Sequence, residues 1–145
     1  VACIGSASPA GVGPTRDFTW DEDESLMFDR ARMRGAMFEE IDDATFESIY
    51  SRLVPESTRA LNQSGLAGVD VDPAKISAPM LFLGTEHDGI GLHPADKLAA
   101  FFNAEHMTIP GTSHDVLLED SGLRVAAHIL GWACRSAPGF LPRPG

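Results

Sequence analysis

Met80-Leu-Phe-Leu-Gly-Thr-Glu-His-Asp88 and, further on, His106-Met-Thr-Ile-Pro-Gly-Thr-Ser-His114 are built to one plan. Each is a short apolar run that stops at or near glycine. Each then presents one polar side chain of catalytic type, Asp88 in the first and His114 in the second. A short continuous apolar run is the signature of a strand buried on both faces of a parallel sheet. In open α/β sheets, ligands and chemistry sit beyond the carboxyl ends of such strands. Acid before histidine is also the order of the last two members of a Ser…Asp…His triad.

Working outward, Pro94 stands well as the first residue of a helix carrying Leu98, Phe101 and Phe102 on one face. Val125, Ile129 and Trp132 fall at i, i+4 and i+7 on a closing helix. Strand Met80–Leu83, helix, strand His106–Ile109, helix is the grammar of a parallel sheet with crossover helices, so the fold class is α/β. Upstream, Val1–Ile4 reads as the end of another buried strand. It runs into Gly5-Ser-Ala-Ser-Pro-Ala-Gly-Val-Gly-Pro14, where glycine and proline prevent an early helix.

The segment 17–68 differs. After acidic Asp17–Glu24, helical spacing of Leu26, Phe28, Ala31, Met37 and Phe38 predicts an amphipathic helix over 25–40, broken near Gly35. A second helix is expected behind Asp42 as N-cap, through Phe46, Ile49, Tyr50 and Leu53, closed by Pro55. A short third lies around 57–62 and ends at Gly65, with no strand among the three. The expected organisation is a core strand end and turn (1–16), a helical lid or cap (17–68), a C-terminal α/β core carrying the acid and histidine (69–137), and a flexible Pro/Gly-rich tail (138–145).

At 145 residues and 43% hydrophobic content the chain suits one domain. No apolar run approaches the ~20 residues of a membrane span. Val1-Ala-Cys-Ile4 is too short for the apolar core of a secretory signal, and without an initiator Met, Val1 is expected to lie inside a longer reading frame. Eleven basic against twenty-one acidic residues, a net charge of −10, would repel a phosphate backbone and disfavour anionic membrane surfaces. Cys3 and Cys134 share no metal-ligand spacing and read as two small buried apolar residues in a reducing, cytoplasmic compartment.

A triad acid must sit on a rigid element and reach a histidine nitrogen, and a general base needs an imidazole facing the site. Taken singly, Asp88 could serve only to cap a turn before Gly89, and a lone loop histidine is usually a surface residue. Together, in triad order and one strand-helix unit apart, they make a catalytic pair the stronger reading. His87 reads as a supporting or exposed residue, His93 as a cap for the helix opened by Pro94, His106 as a strand residue and His128 as a helix residue. None makes a zinc helix and no calcium loop occurs, so no metal is expected. Ser6-Ala-Ser8-Pro-Ala10 fits a relaxed nucleophile elbow, but Pro9, Gly11, Gly13 and Pro14 oppose the helix that an elbow must lead into. Ser8 therefore reads as a turn residue.

Ile76-Ser-Ala-Pro79, the run to Asp88, Ile109-Pro-Gly-Thr-Ser-His-Asp-Val-Leu-Leu-Glu119 and Ile129-Leu-Gly-Trp132 resemble the C-terminal part of α/β-hydrolase-fold enzymes of the bacterial esterase or lysophospholipase-like kind. Gly5–Gly11 resembles the turn after the strand that follows the nucleophile helix, and Arg52-Leu-Val-Pro-Glu-Ser57 with Arg59-Ala-Leu61 resembles a lid. The likeness runs from Val1 to about Ser136 and is strongest in the last half. It implies Asp88 as triad acid and His114 as triad base, with no cofactor. Met37 and Phe38, with Met33 and Phe46, are candidates for an apolar substrate wall, lid-to-core packing being the plainer reading. The family's N-terminal strands, oxyanion loop and Gly-x-Ser-x-Gly elbow have no counterpart here. The resemblance thus implies a fragment or one chain of a split serine hydrolase, completed by a complementary N-terminal half and acting on a small apolar acyl substrate. The other class of reading is a catalytically silent α/β-hydrolase-like module that binds a small molecule or a partner.

Overall fold

In the computed structural model, which describes residues 1–13, 18–91, 94–136 and 139, three strands form a parallel sheet. β1 (Ala2–Ile4) lies at one edge of the sheet. β4 (Leu81–His87) is central and β5 (Glu105–Ser113) lies on its other side. The register sets Cys3 against Phe82 and Leu83 against Met107. His93 and, apart from Gly139, the tail 138–145 lie outside the described residues.

The uninterrupted apolar run of β4 has a physical cause in the two faces it serves. Leu81 and Leu83 enter a core with Ile109, Val116, Val125 and Trp132, the last two from α5 (Gly122–Ser136). Phe82 points the other way, onto Leu98 and Ala99 of α4 (Ala95–Phe102). Each buried leucine, isoleucine, valine or phenylalanine among them contributes about 1.5–3 kcal/mol of hydrophobic stabilisation. Pro94 precedes α4 as its N-cap, with extended ψ of 114°, so the helix starts one residue later than its sequence suggests.

Both core strands outrun their apolar stretches. β4 continues to His87 and β5 to Ser113, because ladder hydrogen bonds persist where the side chains turn polar. The pairing Thr85 with Ile109 gives way to His87 with Ser113, so β5 bulges around Pro110-Gly111. Gly111 takes the left-handed φ of +61° at that bulge.

Between the strands, 18–68 builds a second small core. Ser25–Leu26 is a strand (β2) paired antiparallel with β3 (Glu56–Ser57), where the periodicity had predicted helix and no strand at all. Helix α1 (Arg30–Met37) begins instead behind Asp29, whose carboxylate accepts from the Arg32 N–H at 2.9 Å, and it passes Gly35 unbroken. Helix α2 (Asp43–Tyr50) starts behind Asp42, which accepts from the Thr45 N–H at 2.9 Å. Helix α3 (Thr58–Ala60) runs on as a π-helical stretch, Leu61–Ala67, past the expected stop at Gly65. Met33, Phe38, Ile41 and Phe46 form the interior of this segment, and the guanidinium groups of Arg30 and Arg34 each lie 5.4 Å from the Phe46 ring centre.

The cysteines are free thiols, but Cys3 is half-buried and Cys134 exposed, against the expectation that both are buried. Cys134 lies on an exposed position of α5, a helix that buries Val125 and Trp132. Among the described residues no helix is long and apolar enough to cross a membrane.

Candidate active site

Asp88 and His114 are the residues immediately after β4 and β5, so the parallel ladder delivers both to the same end of the sheet. An in-register continuation from Thr85 and Ile109 would set Asp88 level with Thr112. The bulge at Pro110-Gly111 instead sets His87 level with Ser113, and thereby His114 level with Asp88. His114 Nδ1 lies 3.0 Å from Asp88 Oδ1. Since a carboxylate only accepts, Nδ1 carries the proton of the neutral imidazole. The other edge of the ring faces the turn after β1. A Cβ at Gly5 would stand 3.8 Å from Cε1 and 3.9 Å from Nε2.

The capping role also holds. Asp88 Oδ1 accepts from the N–H groups of Ile90 at 2.9 Å and Gly91 at 3.2 Å, so one carboxylate shapes its own turn and meets the histidine. Burial alone would raise its pKa, yet the His114 hydrogen bond and charge, with those two N–H groups, bring it below the ordinary value. The hydrogen bond from Asp88 raises His114 above 6.5 against the opposing effect of burial, and the charges of Asp88 and Asp115 add to it. Burial raises the Asp115 carboxyl, which His114 only partly offsets, and the charges of Glu119 and Asp88 raise it further.

A carboxylate not singled out from the sequence holds Ser113, the residue before the histidine. Glu119 is buried, and its Oε1 accepts from the Ser113 N–H at 2.9 Å and from the Ser113 hydroxyl. Its Oε2 takes the Ser121 hydroxyl at 3.1 Å. The signal was a carboxylate directly after the apolar Val116-Leu-Leu118, with serines at 113 and 121 to bind it. On the other strand, Glu86 Oε2 accepts from the Gly111 N–H at 2.7 Å and holds the bulge.

The remaining candidates fall as follows. Ser8 is buried, and through Gly13 it is followed by turn rather than helix, with Ala10 N–H donating to the Val69 carbonyl at 3.0 Å. An elbow geometry does not form there. Phe38 and Phe46 face each other within the 18–68 core, ring centres 5.7 Å apart, and Met37 is half-buried against them. Met37 does reach the site through its backbone, since its carbonyl accepts from the Asp115 N–H at 3.2 Å. His87 is exposed, with Nδ1 2.5 Å from Glu40 Oε1, and that hydrogen bond raises its pKa. His106 and His128 are exposed on β5 and α5. Among the described residues, Glu39, Glu40 and His87 bring ligand-type atoms within 4.8 Å of one another, all three residues exposed.

A cavity of about 400 Å³ opens beside Asp88, lined among others by Thr85, Gly91, His106 and Thr108. A larger one, about 730 Å³, lies at the amino ends of the strands, between Pro79, Met80, Phe102 and Glu105. The smaller has Asp88 in its lining, beside the amino half of β5, whereas His114 is not among the residues that line it.

No protein-family model and no curated protein matches the chain. The parallel three-stranded sheet with its flanking helices is consistent with part of an α/β-hydrolase fold. Among solved structures, the chain is similar to MenH from S. aureus, an α/β-hydrolase-fold protein, with a TM-score of 0.51 and 24% identity. The match covers 68% of this chain and 40% of MenH, so the chain spans less than half of that protein's length. At this identity the likeness speaks for the fold alone.

Proposed function

We propose that this chain supplies the acid and base of a serine hydrolase whose nucleophilic serine comes from a part of the enzyme outside these residues. The observation that carries the reading is the 3.0 Å contact of His114 Nδ1 with Asp88 Oδ1 at adjacent strand ends, with Nε2 turned away toward the Gly5 turn. In that arrangement the serine Oγ attacks an acyl carbonyl while His114 Nε2 takes its proton. His114 then gives the proton to the leaving group, and Asp88 stabilises the imidazolium between the two transfers. Water repeats the sequence in reverse to free the acid. The substrate class is a small apolar acyl group in an ester or related bond. The partner is a complementary N-terminal half, and the free thiols suit a cytoplasmic setting.

The test is to treat natively purified material with a fluorophosphonate probe and locate the adduct by peptide mass. An adduct on a serine outside Val1–Gly145, lost in His114→Ala, supports the reading. Labelling that persists in His114→Ala, or none at all in material holding a complete fold, overturns it in favour of a silent binding module. The turn that follows Ser8, unsuited to an elbow, is the observation on the side of that second reading.

A further inference from the structure

We propose that the carboxyl end of α1 is a clamp that sets the mutual placement of Asp88 and His114, with Gly89 as its positioning residue. This deepens the hydrolase reading and rests on it. A helix leaves its last carbonyls without intrahelical partners. In α1 two successive ones are taken by the two catalytic loops. The Gly89 N–H donates to the Ala36 carbonyl at 3.0 Å, and the Asp115 N–H donates to the Met37 carbonyl at 3.2 Å. Gly89 directly follows the acid and Asp115 directly follows the base. One rigid helix end therefore holds both loops, each by the residue next to its functional side chain. A third tie, His87 Nδ1 to Glu40 Oε1 at 2.5 Å, joins the residue before Asp88 to the chain just beyond α1.

The close approach requires glycine. A Cβ at position 89 would lie 2.6 Å from Ala36 Cα and 2.8 Å from the Ala36 carbonyl oxygen. Both are backbone atoms, which cannot rotate aside, so any other residue must push α1 and the Asp88 loop apart. Met37 gives the clamp its reach, since its carbonyl holds the base loop while its side chain packs on the Phe38 and Phe46 core. Displacement of the 18–68 segment, as by a molecule seated against that core, is thereby transmitted to the acid and the base together.

The test uses the whole chain and nuclear magnetic resonance. The clamp predicts that the amides of Gly89 and Asp115 are protected from hydrogen exchange by about tenfold or more and open together. In Gly89→Ala the His114 titration midpoint should fall toward that of an ordinary histidine. Glu40→Gln, which leaves the backbone ties in place, should quicken exchange at both amides several-fold. It serves as the test if Gly89→Ala does not fold. Independent, unprotected exchange at the two amides, or a His114 midpoint unmoved in Gly89→Ala, overturns the clamp. Asp88→Asn separates the two levels. If it fails to move the His114 midpoint, the pair itself falls. If it moves the midpoint and Gly89→Ala does not, only the clamp falls.

Discussion

Pro110 and Gly111 bulge out of β5 at the point where Thr85–Ile109 pairing gives way to His87–Ser113, and this sets His114 level with Asp88. Gly111 holds a φ of +61°, a conformation that costs an L-residue about 1–2 kcal/mol. Gly111→Ala should therefore lower stability by about that amount in denaturant unfolding. It should also weaken the Asp88–His114 contact, seen as a smaller difference in His114 titration between the variant and its Asp88→Asn double.

The pair should stabilise the fold over a bounded range of pH. His114 is raised above 6.5, so its contribution is complete below 6.5 and is lost as pH climbs through the folded value. Asp88 is lowered beneath 3.8, so its contribution is complete above 3.8 and is lost as pH falls through the folded value. The Tm difference between the native sequence and Asp88→Asn should be greatest between those limits and shrink on both sides. A difference that grows steadily toward alkaline pH would contradict the pairing.

Catalysis by the proposed hydrolase should follow the opposite limb. A base must be neutral to take a proton, so the rate of fluorophosphonate labelling in the completed enzyme should rise with pH through a midpoint above 6.5, the ordinary value from which His114 is raised. In Asp88→Asn the limb should move to lower pH and the plateau drop by orders of magnitude, on the scale of about 10⁴ seen when a triad aspartate is replaced.

Glu119→Ala should cost about 2–4 kcal/mol, because it removes the acceptor for the Ser113 N–H, the Ser113 hydroxyl and the Ser121 hydroxyl in a buried site. Glu119→Gln keeps one acceptor oxygen and should cost less than half as much. Urea unfolding of the two variants checks the order, and equal losses would contradict the account.

Phe46→Ala should cost about 3–5 kcal/mol, since Phe46 is 1% exposed between Phe38 and Tyr50. The loss should appear in probes of the 18–68 core, such as Tyr50 fluorescence, before the sheet melts.

The sheet was legible because its strands are buried on both faces, and only an apolar run such as Leu81–Leu83 can lie there. Their length was not legible, because beyond Leu83 and Ile109 the ladder continues on backbone hydrogen bonds that carry no sequence pattern. The cap of α2 was visible in Asp42, whereas Asp29 hid inside what looked like one longer amphipathic period. A two-residue ladder such as β2–β3 is too short for any alternation to register. Asp88 and His114 could be singled out as strand-end residues, but what brings them level is the bulge, and its effect on register appears only once both strands are paired. Glu119 escaped because burial of a carboxylate depends on partners that folding gathers from Ser113 and Ser121.

The most direct measurement is the nitrogen spectrum of the His114 imidazole across pH, in the native sequence and in Asp88→Asn. The account predicts a neutral ring protonated at Nδ1, with Nε2 bare, and a midpoint above that of an ordinary histidine, both lost in the variant. A ring protonated at Nε2, with a midpoint that Asp88→Asn leaves unchanged, would contradict the pairing of Asp88 with His114 and the hydrolase reading built on it.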